Sequence, residues 1–237
     1  MLSNSTKFNL LLGDNFNKLV SLPTKQVIMR SILSVIDRDF IVSSNNSSLA
    51  ELVQKLLDKV LNEKQEIVDI ISDLFSMENK SDLSFYKEIF DSDMFSSIIT
   101  TNFDYTLEEN FDYTLEENFL NLIKINTPFD MNNDESGKIA FYKIYGDYKD
   151  KDIDKFVLSS QDIKRIKVLG FYAKFWEKLR IEFNKRATII LGANLEDKEF
   201  LDILDFIMSK KIDFKQLIYT SMMKLISIWL IKILLIL

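Results

Sequence analysis

With 237 residues the chain is long enough for one large domain or two small ones. Its 47% apolar and 28% charged residues fall in the ordinary globular range, which excludes wholesale disorder and a polytopic membrane protein. Acidic residues exceed basic ones by 36 to 30, a net charge of −6 with scattered lysines, and this gives non-specific nucleic-acid binding no support.

Taken in chain order, the N-terminus MLSNSTKFNLLLGDNF carries one lysine and only a short apolar run, unlike a secretory signal. Within it, Phe8 to Leu12 is predicted as a buried strand stopped by Gly13, and a helix follows Pro23. From Leu49 to Phe90 apolar residues recur at helical spacing, as in Leu52, Leu56, Leu57 and Val60, then Ile67, Ile70, Ile71 and Leu74. With breaks near 77–82, this predicts three helices. Ser97 to Thr101 is β-branched and bounded by Asn102, which suits a central strand opening into a loop. Strands are also expected at Leu122 to Ile125, Ile139 to Tyr145 and Phe156 to Ser159. A helix at Gln161 to Asn184, a strand at Thr188 to Leu191 ending at Gly192, a helix at Glu196 to Met208 and a strand at Leu217 to Tyr219 complete the series.

Strands alternating with helices predict an α/β, Rossmann-like fold. It has a mainly parallel sheet, helices on both faces and a helical insertion at about 49–90, and it binds ligand at the strand C-terminal ends. Five glycines and two prolines agree with a helix-rich chain, because tight turns are scarce. The domain is expected to span 1–221, leaving 222–237 as an atypical apolar tail.

Two features are irregular. NFDYTLEE at Asn102 to Glu109 recurs unchanged at Asn110 to Glu117, too short a period for a solenoid, so it reads as a local duplication. Eight residues advance a helix by about 12 Å and leave it about 80° off register, so the added copy must lengthen the helix or loop out. Only the first copy follows the strand, and function is therefore placed on Asn102 and Asp104. The tail from Met222 lacks acidic residues and is shorter than the roughly 20 apolar residues of a spanning helix. Three readings stay open for it: a helix packed on the sheet, an out-of-frame extension, or a membrane- or partner-binding helix.

Four segments, LLLGDNF, IITTNFD, YKIYGD and IILGANLEDKEFLDIL, fall in order at predicted strand ends. Together they resemble the sirtuin-like (silent information regulator type) NAD-binding domains of bacterial anti-phage proteins. The resemblance implies that Gly13, Asp14 and Asn15 stand where the family cradles the pyrophosphate, and an ordinary strand-to-helix turn accounts for the same residues. It implies that Asn102 lies near the nicotinamide ribose, orienting a hydroxyl or water, and that Asp104 holds the ribosyl end. The competing reading has Asn102 turn the chain and Asp104 cap the next helix. Gly192 would admit the adenosine half and Asn194 would hydrogen-bond it, while Glu196 and Asp197 stabilise a helix N-terminus.

One position departs from the pattern. The family's catalytic base is a His in a Lys-x-His-Gly segment, and this chain has Tyr145 there. A phenol with pKa about 10 is ionised about one time in a thousand at pH 7, so replacing an imidazole costs on the order of 4 kcal/mol as base. Cysteine and histidine are both absent, which removes disulfides, thiolate nucleophiles and Cys/His zinc sites. The family's deacetylases carry a four-cysteine zinc module, so the resemblance points instead to zinc-free NAD hydrolases with cytoplasmic, abortive-infection roles. The expectation is an impaired relative that binds NAD or a related nucleotide, as a homo-oligomer or with a protein partner. The alternative is a non-enzymatic nucleotide-binding or interaction module. No metal is expected: DKDID at Asp150 to Asp154 imitates a calcium loop, but Lys155 replaces the required glycine.

Overall fold

A computed structural model describes residues 7–35, 48–59, 64–77, 84–111, 122–125, 139–150, 152–194, 196–208 and 217–220. The second octad from Asp112 onward and the tail from Met222 lie outside these residues.

Six strands form one parallel sheet: β1 (Phe8–Leu12), β2 (Phe95–Thr100), β3 (Leu122–Ile125), β4 (Ile139–Lys143), β5 (Thr188–Leu191) and β6 (Leu217–Thr220). Their spatial order is β3-β4-β2-β1-β5-β6. The helices are α1 (Lys25–Ser34), α2 (Leu49–Lys59), α3 (Gln65–Met77), α4 (Ser84–Asp91), α5 (Thr106–Phe111), α6 (Ser160–Val168), α7 (Ala173–Lys185) and α8 (Lys198–Met208). The α/β, Rossmann-like expectation holds, as do the three helices between Leu49 and Asp91.

Because side chains alternate across a strand, β1 feeds two cores. Leu11 joins Ile99, Tyr142 and Ile190 beneath α1, α2, α3, α6, α7 and α8. Leu10 and Leu12 join Ile98, Phe141 and Ile189 on the opposite face, where Phe16, Tyr86, Ile89 and Leu107 cover them. Such two-sided burial explains the near-continuous apolar runs that made the strands legible. A small polar cluster sits in this core: fully buried Asn9 donates to the Glu182 carbonyl at 2.7 Å and accepts from the equally buried Ser97 Oγ at 2.8 Å, stitching β1 to α7 and β2.

Two elements differ from expectation. The helix predicted over Gln161 to Asn184 is broken: Leu169 is extended (φ −70°, ψ 126°) and a 3-10 turn spans Gly170–Tyr172. Phe156 to Ser159 is buried but is not a strand. Val157 N donates to the Tyr145 carbonyl at 2.8 Å, Lys64 Nζ donates to the Phe156 carbonyl, and Ser159 already caps α6.

That cap is reciprocal, with Ser159 Oγ accepting from Asp162 N and Asp162 Oδ2 accepting from Ser159 N, both at 3.1 Å. Ser159→Ala is expected to lose about 1 kcal/mol, read from a denaturation midpoint. Burial pulls the Asp162 carboxyl up, but the Lys64 ammonium at 2.9 Å and the Ser159 and Leu158 N–H groups outweigh it and hold the group below its usual 3.8. Its stabilising contribution is therefore complete above 3.8 and is lost as pH falls through the lower folded value. Among the described residues no helix is long and apolar enough to cross a membrane.

Candidate functional site

The strand registers align the ends of the sheet. Leu12 pairs with Thr100 and Leu191, and Thr100 pairs with Lys143, so the loops following β1, β2, β4 and β5 leave from one row. The chain runs from β1 to β2 on one side and later places β5 on the other, which makes the β1/β5 junction a topological switch point. Open α/β sheets hold ligands there.

Gly13 and Gly192 meet at this junction. Gly13 N donates to the Leu191 carbonyl at 2.9 Å, and Asn15 N donates to the Gly192 carbonyl at 2.8 Å. A Cβ on Gly13 would lie 2.5 Å from Ala193 Cα, and one on Gly192 would lie 2.3 Å from Phe16 N. Both glycines let the two loops abut, a close-approach role met by the protein's own backbone.

Beside them opens a cavity of about 250 Å³. Its walls come from the β1 loop and α1 (Asp14, Asn15, Lys25), the start of α2 (Ser48, Glu51) and the β5 loop with α8 (Asn194, Glu196, Asp197, Glu199). Lys25 ties these walls together: its backbone N–H donates to Asp14 Oδ1 at 2.5 Å, and its Nζ lies 2.7 Å from Asp197 Oδ2 and 3.8 Å from Glu199 Oε2. Glu199 Oε1 in turn accepts from Ser48 Oγ and, at 2.9 Å, from Ala50 N, anchoring α2. Burial pushes the Asp14 and Glu199 carboxyls up, against the pull of Lys25. Asp197 Oδ1 also accepts from Glu199 N at 2.9 Å and Phe200 N at 3.2 Å, capping α8 as its sequence position suggested. Asn194 Oδ1 accepts from Glu196 N at 3.0 Å.

The β2 loop is held from both sides. Asn102 Nδ2 donates to Asn17 Oδ1 at 2.8 Å, and Asn17 Nδ2 donates to the Pro23 carbonyl at 2.9 Å, so a carboxamide relay joins this loop to the segment after β1. Asp104 is buried, with Oδ1 accepting from Thr106 N at 3.2 Å at the start of α5. Its carbonyl takes a bond from Lys143 Nζ. Lys143, 1% exposed, also contacts Glu108 Oε1 at 2.8 Å and Asp147 Oδ2 at 3.6 Å. Burial alone would pull the Lys143 ammonium down, yet the Glu108, Asp147 and Asp104 carboxylates more than offset this and hold it above 10.5. Glu108 is raised by burial, with Lys143 opposing, and its Oε2 is buried without a partner.

Tyr145 lies in the core behind the cavity. It is 1% exposed, its hydroxyl has no hydrogen-bond partner, and its ring sits 6.3 Å from Phe103 and 5.8 Å beneath Lys25 Nζ. Burial raises the phenol well above 10, helped by the charges of Glu199, Asp197 and Asp202.

Asp14, Asn15 and Asn194 are thus brought to one cavity, with Gly13 and Gly192 packed together at the same junction. Asn102 connects to that region through Asn17, Asp104 belongs with the Lys143 cluster, and Tyr145 is covered by Lys25. Sequence reasoning missed Asn17, Lys25, Glu108 and Lys143. Two signals were available: Lys143 stands at the Lys of the Lys-x-His-Gly segment, and Lys25 is a charged residue placed directly after Pro23 and Thr24 at a predicted helix start.

Among curated proteins no match was found. The family model described as SIR2-like domain matches residues 96–223, which take in Asn102, Asp104, Tyr145, Gly192 and Asn194 and leave Gly13 to Asn15 N-terminal to the match. Since that span is more than half of the 237 residues and lies on the parallel sheet just described, the chain belongs to the SIR2-like domain family.

Proposed function

We propose that this chain binds NAD or a related adenine nucleotide at the carboxyl edge of its sheet, and that it is an impaired relative of the zinc-free NAD hydrolases of bacterial anti-phage defence. The observation carrying the reading is the switch-point cavity, where Asp14 and Asn15 from one loop face Asn194 from the other. Carboxylates and carboxamides suit the hydroxyls and base edges of a nucleoside, and family membership supplies the expectation of NAD.

The impairment follows from Tyr145. A phenol is already almost wholly protonated at neutral pH, and burial moves it further from ionisation. Its hydroxyl carries no partner that would take a proton onward. Cleavage of the nicotinamide–ribose bond therefore has to proceed without a base at this position, relying on whatever Asn102 contributes by orienting water. The absence of cysteine agrees with the zinc-free branch, and an abortive-infection role in a bacterial cytoplasm belongs to the same proposal.

The test combines binding and turnover on the purified chain. Calorimetry with millimolar NAD or ADP-ribose is expected to give heat, and nicotinamide release followed by chromatography is expected to be very slow in the natural chain and faster in Tyr145→His. Complete inertness of both proteins, with binding retained, would leave the second reading, a nucleotide-binding module acting through a protein partner or a second copy. Burial of Tyr145 is what favours that reading. Lack of any heat would remove nucleotide binding altogether.

A further inference from the structure

We infer that the corner between α6 and α7 docks on an anionic lipid surface, with Val168, Leu169 and Phe171 entering the headgroup layer and Lys164 and Lys174 meeting its charges. None of these residues lines the switch-point cavity, so this is a surface separate from the nucleotide site.

Large apolar side chains exposed one at a time are ordinary on a globular protein. Here three of them share four consecutive positions and are 78%, 46% and 51% exposed. Nothing lies within 4 Å of a Cβ built on Gly170 between them, so among the described residues the corner projects without a roof. It is also rigid. Leu169 N donates to the Arg165 carbonyl at 3.1 Å, Tyr172 N to the Leu169 carbonyl at 3.0 Å, and Trp176 Nε1 to the Ile166 carbonyl at 2.6 Å. Tyr172 and Trp176 are buried, and they hold the tip out from beneath.

Charge selects the occupant. Between Lys164 and Lys178 five Lys and Arg stand against one acid, Glu177, in a chain whose net charge is −6. Lys164 lies one turn before Val168 on α6, Lys174 lies in the first turn of α7, and both are exposed. The nearby acids Asp162 and Asp202 are engaged by Lys64 and Lys167. A projecting apolar tip ringed by cations suits a fluid anionic interface, which closes around a projection and requires no matching groove. The acidic remainder of the chain is repelled by the same surface and turns this corner toward it, while charges beyond a Debye length of about 8 Å at about 0.15 M salt are screened.

Co-sedimentation of the full chain with vesicles tests this, using phosphatidylcholine alone and an equal mixture of phosphatidylcholine and phosphatidylglycerol. Binding to the mixed vesicles is expected to be at least tenfold tighter and to weaken with added salt. Lys164→Glu combined with Lys174→Glu is expected to weaken it at least tenfold, since each cation near such a surface contributes about fivefold. Leu169→Ser combined with Phe171→Ser is expected to weaken it severalfold. All four positions are exposed, and thermal midpoints check the fold of each variant. Phe171→Trp gives a direct reading of the contact, its emission shifting to the blue on mixed vesicles and not on phosphatidylcholine. A chain that ignores the mixed vesicles overturns the inference and leaves the corner to a protein partner. Binding that neither pair of substitutions moves, or an unshifted emission from Phe171→Trp, also overturns it, because the contact then lies elsewhere in the chain.

Discussion

Lys143→Met is expected to destabilise the chain by about 3–5 kcal/mol, the usual result of removing one partner from a buried ion pair. Methionine fills the space of the stem but leaves Glu108, Asp147 and the Asp104 carbonyl facing one another without their cation. All three residues are buried, so water cannot replace the ammonium cheaply. The deficit should depend on pH in a defined direction. With Lys143 gone the Glu108 carboxyl is held still further above its unfolded value, so its contribution is intact at low pH and is lost as pH rises through the folded value. The variant is therefore closest to the natural chain in acid and furthest from it at neutral pH. Urea titrations at two pH values check both claims. Adding Glu108→Leu to the variant should recover part of the loss, since a buried pair replaced by apolar groups is often neutral. A loss under about 1 kcal/mol, or one that grows in acid, would refute the account.

Gly192→Ala comes second in expected size. Gly192 has φ +68°, where an L-residue pays about 1–2 kcal/mol. Its new Cβ would also lie 2.3 Å from Phe16 N and 2.7 Å from Phe16 Cα, contacts that only a backbone shift relieves, at about 1–3 kcal/mol more. The shift would loosen the Asn15 N to Gly192 carbonyl bond, so nucleotide affinity should fall together with stability. Two comparisons separate the causes. Gly13→Ala meets Ala193 Cα at 2.5 Å without the positive φ and should show the steric part alone. Gly170→Ala, with nothing within 4 Å of its new Cβ, should be close to neutral. Equal thermal midpoints for all three variants would mean that the two loops are not in backbone contact.

The strands were legible because both faces of the sheet are covered. Runs such as Leu10 to Leu12 and Ile98 to Ile99 are apolar throughout, and the sequence order of strand and helix gave the parallel topology. Phe156 to Ser159 misled for the same reason: burial makes a segment apolar whether or not it joins the sheet, and here Lys64 and Ser159 hold it instead. The break at Leu169 was invisible to apolar periodicity because Ile163, Ile166, Phe175 and Leu179 keep helical spacing on either side of it.

At the site, the residues at strand ends could be named from sequence because loop position follows strand position. Their partners could not. Asn102 finds Asn17 across 85 positions, Lys25 finds Asp197 across 172, and no local pattern encodes such pairings. Asp104 shows the limit from the other side. Its capping bond to Thr106 N is readable from neighbouring residues, whereas the lysine on its carbonyl arrives from β4.

The amide relay from Asn102 through Asn17 to Pro23 fixes which end of each group is spoken for. Asn102 gives one of its two amide protons to Asn17, and the relay leaves its side-chain oxygen unused. A molecule arriving there is met by a lone pair, so it must bring a proton of its own, as water and sugar alcohols do. A bare carbonyl would find no greeting at that atom.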